Sequence, residues 1–410
     1  MSEKHIALTT ISPVQIGVGL KLGINNASAK YQAFIDAVCE LEGCINASSL
    51  KSQNQQYSTL NDDVKNLRLF VWEDAESAVK LHVFPNNIAI AEVALEYSEV
   101  LTSEQLEALS QADTRKAIQK AWGGFVGFVN KVRKLNNSDI LEYDVEQMAK
   151  PDVHWISRAL LLNRSDLEKR NIQRLITEWL SNTRDPDDAE AIIAGRKAYS
   201  MTWLNYVVVE PAHWQENAAI DYRIDSMILS QYFYTAQENC NKQLLAAIEH
   251  AYVSKNLLQA ESELSVSRVA ARMHLINYHE HLKFLTRAKR KLVADILDCW
   301  EFDTLVQNSK RMVEVCSSRL EEADHKRRER STVLTDLLLV TLSFFAVFEL
   351  SLYLVEFSRE MMSRPALDYN DESTSFFLSY IANIDTDYMF GFGILLTVIL
   401  ILVYRKIKTR

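Results

Sequence analysis

Three carboxylates stand inside the long apolar run TVLTDLLLVTLSFFAVFELSLYLVEF, residues 332–357: Asp336, Glu349 and Glu356. An acidic side chain at membrane depth costs roughly 2.5–3.5 kcal/mol on insertion scales when it faces lipid, and it is tolerated when it faces water or a partner. Carboxylates that face water in a pore attract cations. At about 3.6 residues per turn, Asp336, Ser343 and Val347 fall near one helix face, and Glu349 and Glu356 near the opposite one. One face is expected to line a conduction path and the other to meet a second span. Asp336 lies one turn inside the boundary, in reach of Arg328 or Arg330, and Glu356 lies at the outer interface. Glu349, separated from the outer end by Leu350 to Val355, is the leading pore residue.

Other chemistry is thinly represented. HLINYHEH holds His274, His279 and His281, but His279 and His281 point apart on a helix, so no metal ligand set is assigned. The five cysteines Cys39, Cys44, Cys240, Cys299 and Cys316 form no C-x-x-C pair and read as idle thiols in a reducing compartment. Gly123, Gly124 and Gly127 precede no G-K-[ST], which favours helix packing over a phosphate loop. With no Ser/His/Asp set, no Walker motif and no acid pair in the charged part of the chain, no enzyme and no resident cofactor are expected. A net charge of −9 argues against direct nucleic-acid binding. RAKRK (287–291) and HKRRER (325–330) are basic runs that suit solvent, topology, lipid head groups or a small anionic or nucleotide ligand.

The elements that must position these residues divide sharply. Residues 1–331 are charged throughout, whereas 332–357 and 386–404 are apolar and about as long as bilayer-crossing helices. Basic residues precede the first span and fill the tail RKIKTR at 405–410, while the connector 358–385 is acid-rich. Both termini are therefore expected in the cytoplasm, with a multi-pass hairpin in the inner membrane. The N-terminus has no apolar signal core, so export of the large domain is not expected.

Residues 1–215 read as an α+β or mixed α/β cytoplasmic domain. The runs HIALTTI, NLRLFVWED and AVKLHVFPNNIAIAEVALEYSEV suggest strands, with a turn at Pro85-Asn86-Asn87. Thr102 with Gln105, and Ser165 with Glu168, have the spacing of capping boxes, and a short helix is expected after Asp185-Pro186. HWISRALLL and MTWLNYVVVE are further strands, of undetermined order. Residues 216–331, free of Gly and Pro from 225 onward, are expected to form a long-helix bundle and stalk. In the stalk, Phe302, Val306, Ser309, Val313, Cys316, Leu320 and Ala323 alternate by four and three, a seam suited either to copies of the same helix or to the chain's own core. No helix breaker separates that stalk from the first span, so the two are expected to form one rod.

This layout resembles the CorA family of divalent-cation transporters, the two-span G-x-N type. The stalk is ILDCWEFDTLVQNSKRMVEVCSSRLEEADHKRRER, the pore helix TVLTDLLLVTLSFFAVFEL and the tail YRKIKTR. The resemblance implies a homo-oligomer, a pentamer in that family, around a pore made by the first span, with magnesium or another divalent cation as cargo. The family's Gly-Met-Asn signature is absent. VEFSREMMSRP stands in its place, so no filter residue carries over. Three functions fit: a gated channel or transporter, an antiviral membrane effector of the same architecture triggered by a nucleotide or other signal, and a non-conducting membrane-anchored scaffold.

Overall fold

The computed structural model describes residues 5–21, 24, 28–45, 67–74, 76–98, 101–210, 222–253, 257–363, 376–385, 387–388, 391–395 and 398–399. The chain divides into two compact units, residues 1–317 and 318–410.

The first unit is built on a nine-stranded sheet. Its longest strands, β1 (His5–Gln15) and β6 (Ile88–Ser98), pair antiparallel along their whole length, from His5 opposite Ser98 to Gln15 opposite Ile88. Beyond β6 lie β5 (Val79–Val83), β4 (Phe70–Asp74) and β3 (Cys44–Ile45). On the other side of β1 lie β9 (Ser157–Leu162), β11 (Asn205–Val209) and β10 (Tyr199–Met201), while β8 (Asp152–Val153) pairs with the end of β1. Among the described residues, only β9 and β11 pair in parallel. A separate small pair joins β2 (Val18–Leu20) to β7 (Leu141–Tyr143). The β5–β6 turn falls at Pro85-Asn86-Asn87 as expected. Asn87 takes φ +59° there, a left-handed angle that asparagine tolerates.

Helices cover both faces of the sheet. Leu160, Leu162, Val207 and Val209 pack with α4 (Arg170–Trp179) and α5 (Asp188–Ile193). The alternate residues Ala159, Leu161, Tyr206 and Val208 pack with α6 (Tyr222–Val253) and α8 (Arg287–Cys299). Burial on both sides explains why these strands read as unbroken apolar runs. The helices after residue 216 therefore complete the core of the sheet.

Helix α1 (Ala29–Cys39) was not evident in the sequence, and α3 (Val145–Met148) is a single turn. Helix α2 (Ser103–Val132) begins with the Thr102–Gln105 capping box. It lays Ile118, Trp122, Phe125 and Val129 over β4 to β6. Gly124 lets it approach closely, because a Cβ there would stand 3.3 Å from the Trp72 ring. Ser165 does not cap a helix. Asp166 instead accepts a 2.9 Å bond from the Asn163 N–H, and a short 3-10 turn over Arg164–Glu168 precedes α4.

The Gly- and Pro-free region still breaks, between α7 (Leu257–Phe284) and α8 and again before α9 (Phe302–Ser363). Thr286 caps α8 through the Lys289 N–H at 3.4 Å. Glu301 takes φ +53°, the left-handed helix-ending conformation that glycine usually supplies. Helix α9 then runs 62 residues without interruption, about 93 Å at 1.5 Å per residue. The architecture is thus an α/β sheet domain followed by a long helical region with one described helix long and apolar enough to cross a membrane. Helix α10 (Phe376–Ala382) follows. Connector residues 364–375, the tail 405–410 and most of 386–404 lie outside the described residues.

Candidate functional site

Of the membrane candidates on α9, Asp336 is half-buried, whereas Ser343, Val347, Glu349 and Glu356 are exposed. The covered positions, in steps of four and three, are Asp336, Val340, Phe344, Phe348, Ser351, Val355 and Ser358. Five of them are half-covered, and Val355 and Ser358 are buried. Part of that cover is the second apolar segment, since a Cβ on Gly393 would lie 4.0 Å from the Phe344 ring. Glu349 and Glu356 stand on the far side of the helix from that line. Thr335, Thr341 and Ser351 return their hydroxyls to the carbonyl four residues back, at 2.9, 2.8 and 2.7 Å, which satisfies them without solvent.

The stalk seam sits differently from the arrangement between copies. Phe302, Ser309, Val313 and Cys316 are buried within the first unit, and Val306, Leu320 and Ala323 are half-buried. Phe302 meets Tyr278 of α7 edge to face at 5.2 Å between ring centres, Asn241 of α6 donates to the Leu305 carbonyl at 3.0 Å, and Arg268 of α7 donates to Ser317 at 3.4 Å. The stripe from Phe302 to Cys316 is thus a core stripe of its own chain. The heptad spacing was real, but its partner is intramolecular.

The strongest electrostatic feature of the first unit lies between the sheet and its helices. Asp225 on α6 binds Arg68, which precedes β4, through one oxygen and Lys289 on α8 through the other. The three side chains are 8%, 16% and 12% exposed. Burial pushes the Asp225 carboxyl up, but the two cations outweigh it and hold it well below the usual carboxylate range. Beside this triad, His82 of β5 meets Glu92 of β6 at 3.0 Å in full burial, and Arg68 lies 5.7 Å over the Phe84 ring. Burial lowers His82. It would raise Glu92, but the hydrogen bond and charge of His82, with the charges of Lys80 and Arg68, together hold that carboxyl below its ordinary value.

His281 and His274 of α7 are both buried, and burial pushes each down to about 4, so they are neutral near pH 7. Lys289 and Arg68 add to the lowering at His281. This cluster clamps β4, β5 and β6 to α6, α7 and α8. Sequence reasoning missed it, although Glu92, on the same strand face as Ile88 and Ile90 in IAIAEVALEY, was a usable signal: an inward acid in an apolar strand needs a buried partner.

Among the described residues, no three His, Cys, Asp or Glu side chains come together as a metal centre. No family model, curated protein or solved structure matches this chain.

Proposed function

We propose that the chain is one subunit of a CorA-like oligomeric ion channel or transporter of the inner membrane, gated through its sheet domain. The observation that carries this reading is α9, a single 62-residue helix that begins among buried aromatic residues and continues through the apolar run. Such a helix can pass a movement at one end to the other without an intervening joint. The placement of Gly393 beside Phe344 supports a second span packed against the first, and the basic runs at 325–330 and 405–410 are the ground for assigning both termini to the cytoplasm. The exposure of Glu349 and Glu356 opposite the covered line supports copies of the chain, or water between them, on that side. Divalent cations, magnesium among them, are the cargo this reading assigns.

The test is ion flux through the purified protein in liposomes, comparing magnesium, potassium and chloride, with subunit number determined on the same sample. Cation flux from an oligomer supports the reading. A monomer, or an oligomer silent to all three ions across candidate anionic and nucleotide triggers, overturns it in favour of a scaffold.

A further inference from the structure

The stalk part of α9 is tied to its own chain lightly. Among the described residues, two hydrogen bonds and no ion pair join residues 302–317 to α6 and α7. One is the bond from Arg268 to Ser317, long at 3.4 Å. The other is the bond from the Asn241 side chain to the Leu305 carbonyl at 3.0 Å. Gln237, one turn earlier on α6, donates to Asn241 Oδ1 at 3.1 Å and so fixes which way that amide points.

The Leu305 carbonyl is contested. Leu305 lies four residues before Ser309, so its oxygen closes the helical ladder with the Ser309 N–H and is also the acceptor to which a Ser309 hydroxyl returns. A carbonyl oxygen has two lone pairs, and the ladder and Asn241 take both. The consequence is visible at Ser309. Other serines of α6 and α9 return their hydroxyls four residues back, Ser226 to Tyr222 at 2.7 Å, Ser230 to Ser226 at 2.8 Å and Ser317 to Val313 at 2.9 Å. Ser309 is fully buried, and its hydroxyl has no partner among the described residues. Gln237 Oε1, also fully buried, is in the same condition.

An unpaired buried polar group weakens the packed arrangement by the hydration it has lost. Two arrangements are therefore open to the Leu305 carbonyl. In the first, Asn241 holds it and the Ser309 hydroxyl is stranded. In the second, α9 has moved off α6, Ser309 bonds to Leu305 and Asn241 is hydrated. The exchange keeps two bonds on that carbonyl and gives a partner to a hydroxyl that had none, which offsets part of the cost of exposing Val313 and Cys316.

We propose that Asn241 and Ser309 form a releasable catch, alternating on the Leu305 carbonyl as α9 docks on and leaves α6 and α7 while the sheet stays folded. Under the proposed function, release frees the part of the long helix that leads toward the membrane. The catch itself is independent of ion conduction, and its test reads no current.

Cys316 reports on the catch, because it is fully buried on the same stripe, whereas the other four cysteines are half-buried. The full chain in a maltoside detergent is alkylated with N-ethylmaleimide and read by site-resolved mass spectrometry. The reagent is kept where rate is proportional to its concentration, so that labelling reports the open fraction. Global unfolding is measured on the same sample by tryptophan fluorescence. Cys316 should be labelled faster than global unfolding allows. Ser309→Ala removes the stranded hydroxyl and should slow that labelling about fivefold or more, whereas Asn241→Ala removes the hold and should speed it about fivefold or more. Ordinary core packing predicts no slowing from either truncation. Far-UV circular dichroism verifies that each variant is folded, and Ser309→Ala alone decides if Asn241→Ala is not. Labelling of Cys316 only in step with global unfolding, an unchanged or faster rate in Ser309→Ala, or no acceleration in a folded Asn241→Ala overturns the proposal.

Discussion

Replacing Asp225 by asparagine keeps the shape of the side chain and removes only its charge, leaving Arg68 and Lys289 buried beside each other. Removing one partner of a buried ion pair costs about 3–5 kcal/mol, because the remaining charge has lost its compensation. Asp225 serves two cations, and all three side chains are at most 16% exposed, so the upper part of that range applies. All seven tryptophans precede residue 318, so urea unfolding followed by tryptophan fluorescence reports on the first unit. With an m-value of roughly 2–3 kcal/mol/M, the midpoint should fall by about 1.5–2.5 M.

The sign with pH is defined as well. A carboxyl held below its ordinary 3.8 stabilises the fold at every pH above that value, and the contribution is lost only as the pH falls through the depressed one. The gap between native chain and variant should therefore be constant from about pH 5 to 8. A midpoint shift under about 0.3 M would refute the clamp. So would a Lys289→Met substitution that is as damaging in the D225N background as alone, since coupled partners cannot be independent.

His274 and His281 are each held near 4 instead of 6.5. The unfolded chain therefore takes up their protons first: stability is complete above about pH 7 and falls by about 2 kcal/mol per histidine by pH 5. Thermal melts of the first unit at pH 7, 6 and 5 check this, and a flat profile would show that the histidines are not buried neutral. Glu349→Ala should change conductance or cation preference in a planar bilayer, and unaltered currents remove that residue from the conduction path. Leu320→Asp, at a half-buried position beyond the buried stripe, should reduce subunit number in native mass spectrometry, and an unchanged count would exclude it from assembly.

What was legible in the sequence was local. The alternation in HIALTTI and the Pro85-Asn86-Asn87 turn carry their own geometry, as does the Thr102–Gln105 box, because each depends on neighbours within a few residues. The order of the strands was not legible. Placing β9 beside β1 and β11 depends on pairings such as Leu160 with Leu8 and Leu160 with Val207, across stretches that hold other elements. The helix breaks at Thr286 and Glu301 were hidden because neither uses glycine or proline, the residues by which breaks are recognised. Ser309 looked like an ordinary polar position in its stripe until Asn241, on a separate helix, took the carbonyl its hydroxyl would use. The Phe302–Cys316 stripe shows the limit of periodicity. A spacing of four and three announces that a helix packs, and says nothing of whether its partner is a copy or the same chain.

The second half of α9 poses that same question with a different energetic weight. Its less exposed line runs from Asp336 to Ser358, and the exposed residues opposite include Glu349 and Glu356. Left against lipid as charges near the centre, two glutamates would cost about 5–7 kcal/mol on insertion scales; the cost falls toward the interface, where Glu356 stands. A contact with copies of the chain, or water enclosed among them, removes that cost for every subunit at once. Under the proposed function, association along this face is therefore driven by the removal of a penalty, in a solvent where apolar helices have little hydrophobic reason to meet. It follows that Glu349→Leu should weaken assembly even though it makes the helix more apolar. An oligomer as stable as that of the native chain would place Glu349 outside the contact.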